Sequence, residues 1–232
     1  MKRIGIIGAM QEEVEKFREN MTIQEQRTVA GISFWVGTFE GRDTVVCQCG
    51  VGKVNAAMCT QILIDRFDVE KIVFTGVAGA LEPTLDIGDI VISTDCIQHD
   101  MDVRPLGFAR GMIPFMDQSI FVADPELVAL ATRAAQEVLA GKQVVQGRIL
   151  SGDQFVADLD TVGNLYLEFG GACVEMEGAA VAQVCSLNAV PFVIIRSMSD
   201  RADKSANVNF LEFVGLAAES SYRIVERMIR WL

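Results

Sequence analysis

The chain has 232 residues, of which 50% are hydrophobic and 22% charged, with a formal net charge of −11. That length suits one α/β domain with a continuous core, and the composition is too apolar for intrinsic disorder. The acidic balance argues against nucleic acid or an anionic membrane as partner, and no apolar run reaches the roughly 18 residues of a bilayer span.

Strand and helix patterns alternate throughout, predicting a single α/β domain over 1–232 with a central mixed, twisted β-sheet flanked by helices. Residues 3–8 read as a buried strand and 11–20 as a helix, with Glu12 and Glu13 in its first turn where the helix dipole favours carboxylates. Residues 33–39 and 44–49 read as a hairpin joined at Glu40-Gly41-Arg42-Asp43, and 53–67 as a helix. Runs 71–75 and 89–93 are β-rich around a glycine-containing loop, whereas 101–116 has neither period. A helix over 124–139 is capped by Asp124 with Pro125 at its first position. A strand at 144–150, a helix at 158–169, a helix from near Glu175 to 187 and a buried strand at 191–196 follow. Residues 210–232 form a long amphipathic helix.

No secretory pattern opens the chain, so a cytoplasmic location is expected. The six cysteines (47, 49, 59, 96, 173 and 185) sit mostly in apolar stretches and read as small core residues of a reducing compartment. Cys47-Gln48-Cys49 has C-x-C spacing rather than that of a C-x-x-C metal or redox pair, and His99 is the single histidine, so neither metal nor cofactor is expected.

Four strand-end segments hold residues that could carry chemistry. Glu13 lies one turn into the first helix, able either to face the strand-end cleft or merely to complement the helix N-terminus. Gly50-Val51-Gly52-Lys53 and Gly76-Val77-Ala78-Gly79 read as turns that could offer backbone N–H donors to a polar ligand, with tight packing as the alternative. Glu175-Met176-Glu177 sets two carboxylates before an apolar helix, where they need partners: a sugar diol or the backbone. A polar cluster running to Asp200, Arg201 and Asp203 follows an apolar strand, which makes Asp200 a candidate for a partly desolvated acid.

Taken together, Gly5-Ile6-Ile7-Gly8-Ala9-Met10, Glu13, Cys49-Gly50-Val51-Gly52-Lys53-Val54-Asn55-Ala56, Gly88-Asp89-Ile90-Val91, Ser151-Gly152-Asp153-Gln154-Phe155, Glu175-Met176-Glu177 and Ser197-Met198-Ser199-Asp200 occur in a specific order. In this the chain resembles the 5′-methylthioadenosine/S-adenosylhomocysteine nucleosidases of the nucleoside phosphorylase superfamily over essentially its full length. The resemblance implies hydrolysis of 5′-modified adenosines, with Glu13 activating water and Asp200 protonating purine N7. It implies that Glu177 holds the ribose hydroxyls beside Met176, and that Phe155 and Val156 meet the base. Glu175, Ser199, Val77, Ala78 and Gly79 complete the implied substrate contacts, and Met10, Val51 and Phe210 form the 5′ pocket. Val103, Leu106 and Pro114 would come from the partner of a homodimer in which residues 101–116 close the neighbour's pocket.

The chain departs from the family pattern at Val77, where serine is common, and at Arg104-Pro105-Leu106, which bears on the 5′ pocket. A phosphorylase on the same fold would bring arginine to a phosphate dianion, and the strand before Gly76 carries none at its end. A 6-oxopurine (futalosine-type) nucleosidase is disfavoured by Asp200, since a 6-amino group wants an acceptor. A non-catalytic binding protein would not require Glu13, Glu177 and Asp200 together.

Overall fold

A computed structural model describes residues 3–202 and 206–232, the side chains of 207–209 excepted, so Asp203 lies outside the described residues. In chain order the first half comprises β1 (Arg3–Gly8), α1 (Gln11–Asn20), β2 (Thr22–Val29), β3 (Ile32–Phe39), β4 (Arg42–Gln48), α2 (Lys53–Phe67), β5 (Val69–Ala80) and β6 (Ile90–Gln98). The second half comprises β7 (Ile120–Val122), α3 (Pro125–Val138), β8 (Val144–Ser151), α4 (Leu159–Phe169), β9 (Gly171–Glu175), α5 (Gly178–Leu187), β10 (Phe192–Asp200) and α6 (Ala206–Trp231).

The strands make one mixed sheet that closes on itself around β5. Along one side of β5 lies β10, parallel from Ile72↔Phe192 to Gly79↔Asp200. Its other side pairs with β1 over the first half and, at Gly79↔Val174 and Ala80↔Cys173, with β9. The path β10–β6–β8–β9 then returns to β5, so five strands form a ring, and β1, β4, β3 and β2 extend from it as an open wing. Ring closure brings the ends of β5, β9 and β10 together, which is where a ligand cleft is expected in an α/β sheet.

Helices cover the apolar faces of these strands. Phe17 of α1 meets Phe39 of β3 and Tyr222 of α6 edge-on, at 5.4 and 5.0 Å between ring centroids. Burying such rings dominates the local packing energy and holds α1, which carries Glu13, against α6. As its sequence predicts, α3 starts at Asp124, whose side chain accepts from Glu126 N–H and Leu127 N–H at 3.1 and 2.9 Å. No helix of the described residues is long and apolar enough to cross a membrane.

The structure corrects several boundaries. β2 escapes the pattern reading because nearly all its side chains are exposed and polar, so no alternation marks it; backbone pairing to β3 makes it a strand. β7 has only three residues and escapes for its shortness. The predicted four-residue hairpin connection is a two-residue turn in which Glu40 and Gly41 take φ of +48° and +78°, and Arg42 already pairs with Phe39. Gly76-Val77-Ala78-Gly79 is no turn: it continues β5, paired on both sides near its end. β10 likewise continues past Arg196 to Asp200, every residue buried, and α5 starts at Gly178 rather than near Glu175. α6 begins at Ala206, one turn before Phe210.

Candidate active site

A cavity of about 330 Å³ opens where β1, β5, β9 and β10 end. Its lining unites segments distant in the chain: Met10 and Glu13, Val51, Val77-Ala78-Gly79, Phe155-Val156, Glu175-Met176-Glu177, Ser199-Asp200 and Phe210. Ala9, Gln154 and Val174 also line it and were not singled out, although each adjoins a residue that was. Val103, Leu106 and Pro114 do not line this cavity; they belong to the segment 101–116, most of which lacks regular structure.

Glu13 is fixed by the backbone around it. Its Oε2 accepts from Ala9 N–H (2.7 Å) and Met10 N–H (3.0 Å), and Oε1 from Val77 N–H (3.0 Å). The bond to Met10 is the helix-start complement that the sequence allows, so capping and cavity-facing roles fall to the same carboxylate. Three N–H donors would ordinarily make a carboxylate strongly acidic. Here burial outweighs them, and outweighs the attraction of Arg196, so the Glu13 pKa lies above its ordinary value. This carboxylate is therefore more basic than a solvated one. Gly76 makes room for it, since a methyl there would lie 2.9 Å from Glu13 Cδ and 3.1 Å from Arg196 Nη1.

The two glutamates of Glu175-Met176-Glu177 divide the two partners open to them. Glu175 takes the backbone: it accepts from Gly178 N–H at 2.8 and 2.9 Å and from Glu177 N–H at 3.2 Å. It also accepts from Ser151 Oγ and pairs with Arg196 Nη2 at 2.6 Å. Glu177 has a single bond, from Gly52 N–H to Oε1 at 2.8 Å, and its Oε2 has no partner among the described residues. Burial, and then the charge of Glu175, push the Glu177 carboxyl up to about 8.

The glycine turn before α2 therefore serves the protein's own carboxylates rather than lying open to an anion. Gly52 N–H meets Glu177, and Lys53 N–H meets Asp153 Oδ1 at 2.8 Å. Asp100 ties this corner together through Lys53 Nζ (2.7 Å) and Asp153 N–H (3.0 Å).

Arg196 is a buried cation beside the site carboxylates that sequence reading did not single out. It is 1% exposed, its guanidinium lies 4.0 Å over the Phe74 ring, and it sits in register with Gly76. The strand before Gly76 carries no arginine of its own, as its sequence reads, but β10 sets one beside it. At the far end of the cavity, Asp200 accepts from Ser199 Oγ (2.9 Å) and Ala202 N–H (2.7 Å). Phe155, half-exposed, meets Phe210 edge-on at 5.9 Å and walls the mouth. Among the described residues no group of three or more His, Cys, Asp or Glu side chains could hold a metal ion.

A sequence profile of the phosphorylase superfamily matches residues 3–230. The chain belongs to the phosphorylase superfamily. Within that superfamily it is 44% identical over 230 residues to the 5′-methylthioadenosine/S-adenosylhomocysteine nucleosidase of Anoxybacillus flavithermus, covering 99% of this chain and 98% of the relative. The resemblance drawn from the motifs is thereby borne out. The Neisseria meningitidis enzyme of that name, crystallised with methylthio-immucillin-A, superposes with a TM-score of 0.95 at 39% identity, all of both chains covered. A futalosine hydrolase of Helicobacter pylori superposes with a TM-score of 0.94 at 35% identity, covering 100% of this chain and 98% of the other.

Proposed function

We propose that this superfamily member hydrolyses the N-glycosidic bond of 5′-modified adenosines, 5′-methylthioadenosine and S-adenosylhomocysteine among them, releasing adenine and the free thioribose. One observation carries the reading: Glu13, Glu177 and Asp200, from three separate segments, converge on one cavity, and the buried cation behind its wall, Arg196, is already paired with Glu175. The volume suits a nucleoside-sized ligand.

In this reading Asp200 delivers a proton to N7, so the purine leaves neutral, and then accepts from the 6-amino group. Glu13 takes the proton of the attacking water, a task for which a carboxylate of raised pKa is suited. Glu177 holds the ribose hydroxyls with the oxygen left unbonded and offsets the positive charge that develops on the sugar. Met176 lies under the sugar, Phe155 and Val156 meet the base, and Met10, Val51 and Phe210 take the 5′ substituent. Water rather than phosphate is the nucleophile, because a dianion would have to displace Glu175 from Arg196 and then sit among the remaining carboxylates. Leu106 and Phe115, 68% and 95% exposed, support a homodimer in which residues 101–116 of each subunit, with Val103, Leu106 and Pro114, complete the other's 5′ pocket. A cytoplasmic setting fits the six unpaired cysteines.

The test is adenine release from 5′-methylthioadenosine, with and without phosphate, with 5′-methylthioinosine beside it. Free sugar, no acceleration by phosphate and at least roughly tenfold preference for the 6-amino substrate are expected, the last because two facing acceptors cost about 1–3 kcal/mol. A phosphorylated sugar as main product would overturn the hydrolase reading. Equal cleavage of the two purines would overturn the role of Asp200.

A further inference from the structure

Glu175 lines the cavity, yet its acceptor positions are taken up by protein. A carboxylate offers about four lone-pair sites. Here Oε1 receives Ser151 Oγ and Gly178 N–H, while Oε2 receives Glu177 N–H, Gly178 N–H and Arg196 Nη2. Ser151 Oγ in turn accepts Ala179 N–H at 2.7 Å. The pair thus satisfies three successive N–H groups at the start of α5, the donors a helix cannot satisfy internally. Glu177 is the first of those three residues, so its backbone is pinned from behind while its carboxylate reaches forward to Gly52.

The second thing Glu175 holds is a charge. Arg196 is fully buried between Glu175, Glu13 and Glu177, and an unpaired guanidinium there would draw in whichever carboxylate could reach it. Glu175 engages it at 2.6 Å, which leaves Glu13 to its three N–H donors and Glu177 to its one.

Building on the hydrolase reading above, we infer that Glu175 is a positioning residue for that reaction: it braces the first turn of α5 to aim Glu177, and it occupies Arg196 to keep that cation from neutralising Glu13. It makes no contact with the reacting atoms.

Glu175→Gln keeps the shape and removes the charge. The titratable and charged groups facing the cluster are Glu13 from α1, Cys49 after β4, Cys96 of β6, His99 after β6, Cys173 of β9, Glu177 before α5, and Arg196 of β10. With Glu175 neutral, Arg196 acts on Glu13 and Glu177 alone, and both become stronger acids. Their ionised forms do the work, so the rising limb of kcat against pH should move to lower pH by about one unit. The maximal kcat should fall roughly tenfold or more, the scale of losing charge-assisted bonds.

A limb that stays in place in a folded Glu175→Gln protein would overturn the inference, whatever its rate. Should that variant fail to fold, Ser151→Ala loosens the same brace without touching the charge. It should lower kcat at least about threefold with adenine inhibition unchanged, and an unaltered kcat would overturn the inference. Wild-type protein run in parallel separates the two readings. A wild type that releases no adenine refutes the hydrolase assignment, whereas an active wild type with an unmoved variant refutes only the role of Glu175.

Discussion

Gly76 offers the sharpest test of how Glu13 is held. It lies within β5 in ordinary strand geometry, so alanine there meets no backbone strain and acts by its methyl alone. That methyl would stand 2.9 Å from Glu13 Cδ, nearer still to Oε1, and 3.1 Å from Arg196 Nη1. Carbon atoms settle at about 3.5–4.0 Å, so the carboxyl must retreat by roughly 0.6–1 Å. Its bond to Val77 N–H, now 3.0 Å, would then stretch beyond hydrogen-bonding range. Losing one charge-assisted bond inside the protein costs about 1.5–3 kcal/mol. Expressed at the transition state, that is roughly a 10- to 150-fold fall in kcat. Adenine release followed by the ultraviolet difference between substrate and products measures it. Gly215→Ala provides the control: it is helical, has open space around its Cβ position and should leave kcat unchanged while raising Tm slightly. Wild-type kcat in Gly76→Ala would refute the claim that Glu13 works from the position its three N–H donors define.

The buried carboxyls also predict how stability varies with pH. Glu177 titrates near 8 in the fold against an ordinary 4.5, so between those values the folded chain holds a proton that the unfolded chain has lost, and stability falls as pH rises through that window. Glu13 acts with the same sign. His99, held below its ordinary value by burial, acts with the opposite sign below about 6.5. Glu177→Gln should therefore flatten the decline of Tm between about pH 5 and 8; the same slope in both proteins would contradict the assignment. The exposed face of residues 101–116 predicts a dimer at micromolar concentration by sedimentation. Phe115→Asp should weaken the dimer and lower activity on 5′-methylthioadenosine, and a fully active monomer would rule out pocket completion across the interface.

What the sequence revealed, and what it hid, follows from where polar groups sit relative to periodicity. β1, α2, α3 and the β3–β4 hairpin carry strong apolar patterns or explicit caps and turn residues, and they lie close to where they were expected. β2 has no buried face to pattern it, and it is a strand only because β3 offers an edge. The ends of β5 and β10 were read short for another reason. Glycines and polar residues ordinarily end a strand. Here Gly76 and Gly79 are strand residues because their missing side chains leave space for Glu13 and Asp200, while the Arg196 guanidinium, the Ser199 hydroxyl and the Asp200 carboxylate are buried against protein partners: Glu175, the Ala78 carbonyl and Ala202 N–H. The chemistry of the site is what disguised its secondary structure. The residues expected at the substrate were nevertheless legible as a set, and all of those expected from a single subunit line one cavity.

Arg196 is where the two levels of reading meet. From sequence it is a polar residue ending an apolar run; in the fold it is a buried cation next to the carboxylates of the cavity. Its position decides how a fold shared with phosphorylases can exclude phosphate. An arginine free to point into the cavity would recruit an anion, and the nucleophile would be phosphate. An arginine removed altogether would leave Glu13, Glu175 and Glu177 to repel one another in a site with little water, and protons would be taken up to relieve that repulsion. Paired with Glu175 and stacked on Phe74, it does neither. It lowers the cost of ionising Glu13 and Glu177 while offering no open coordination to a dianion, and the nucleophile left to such a site is water.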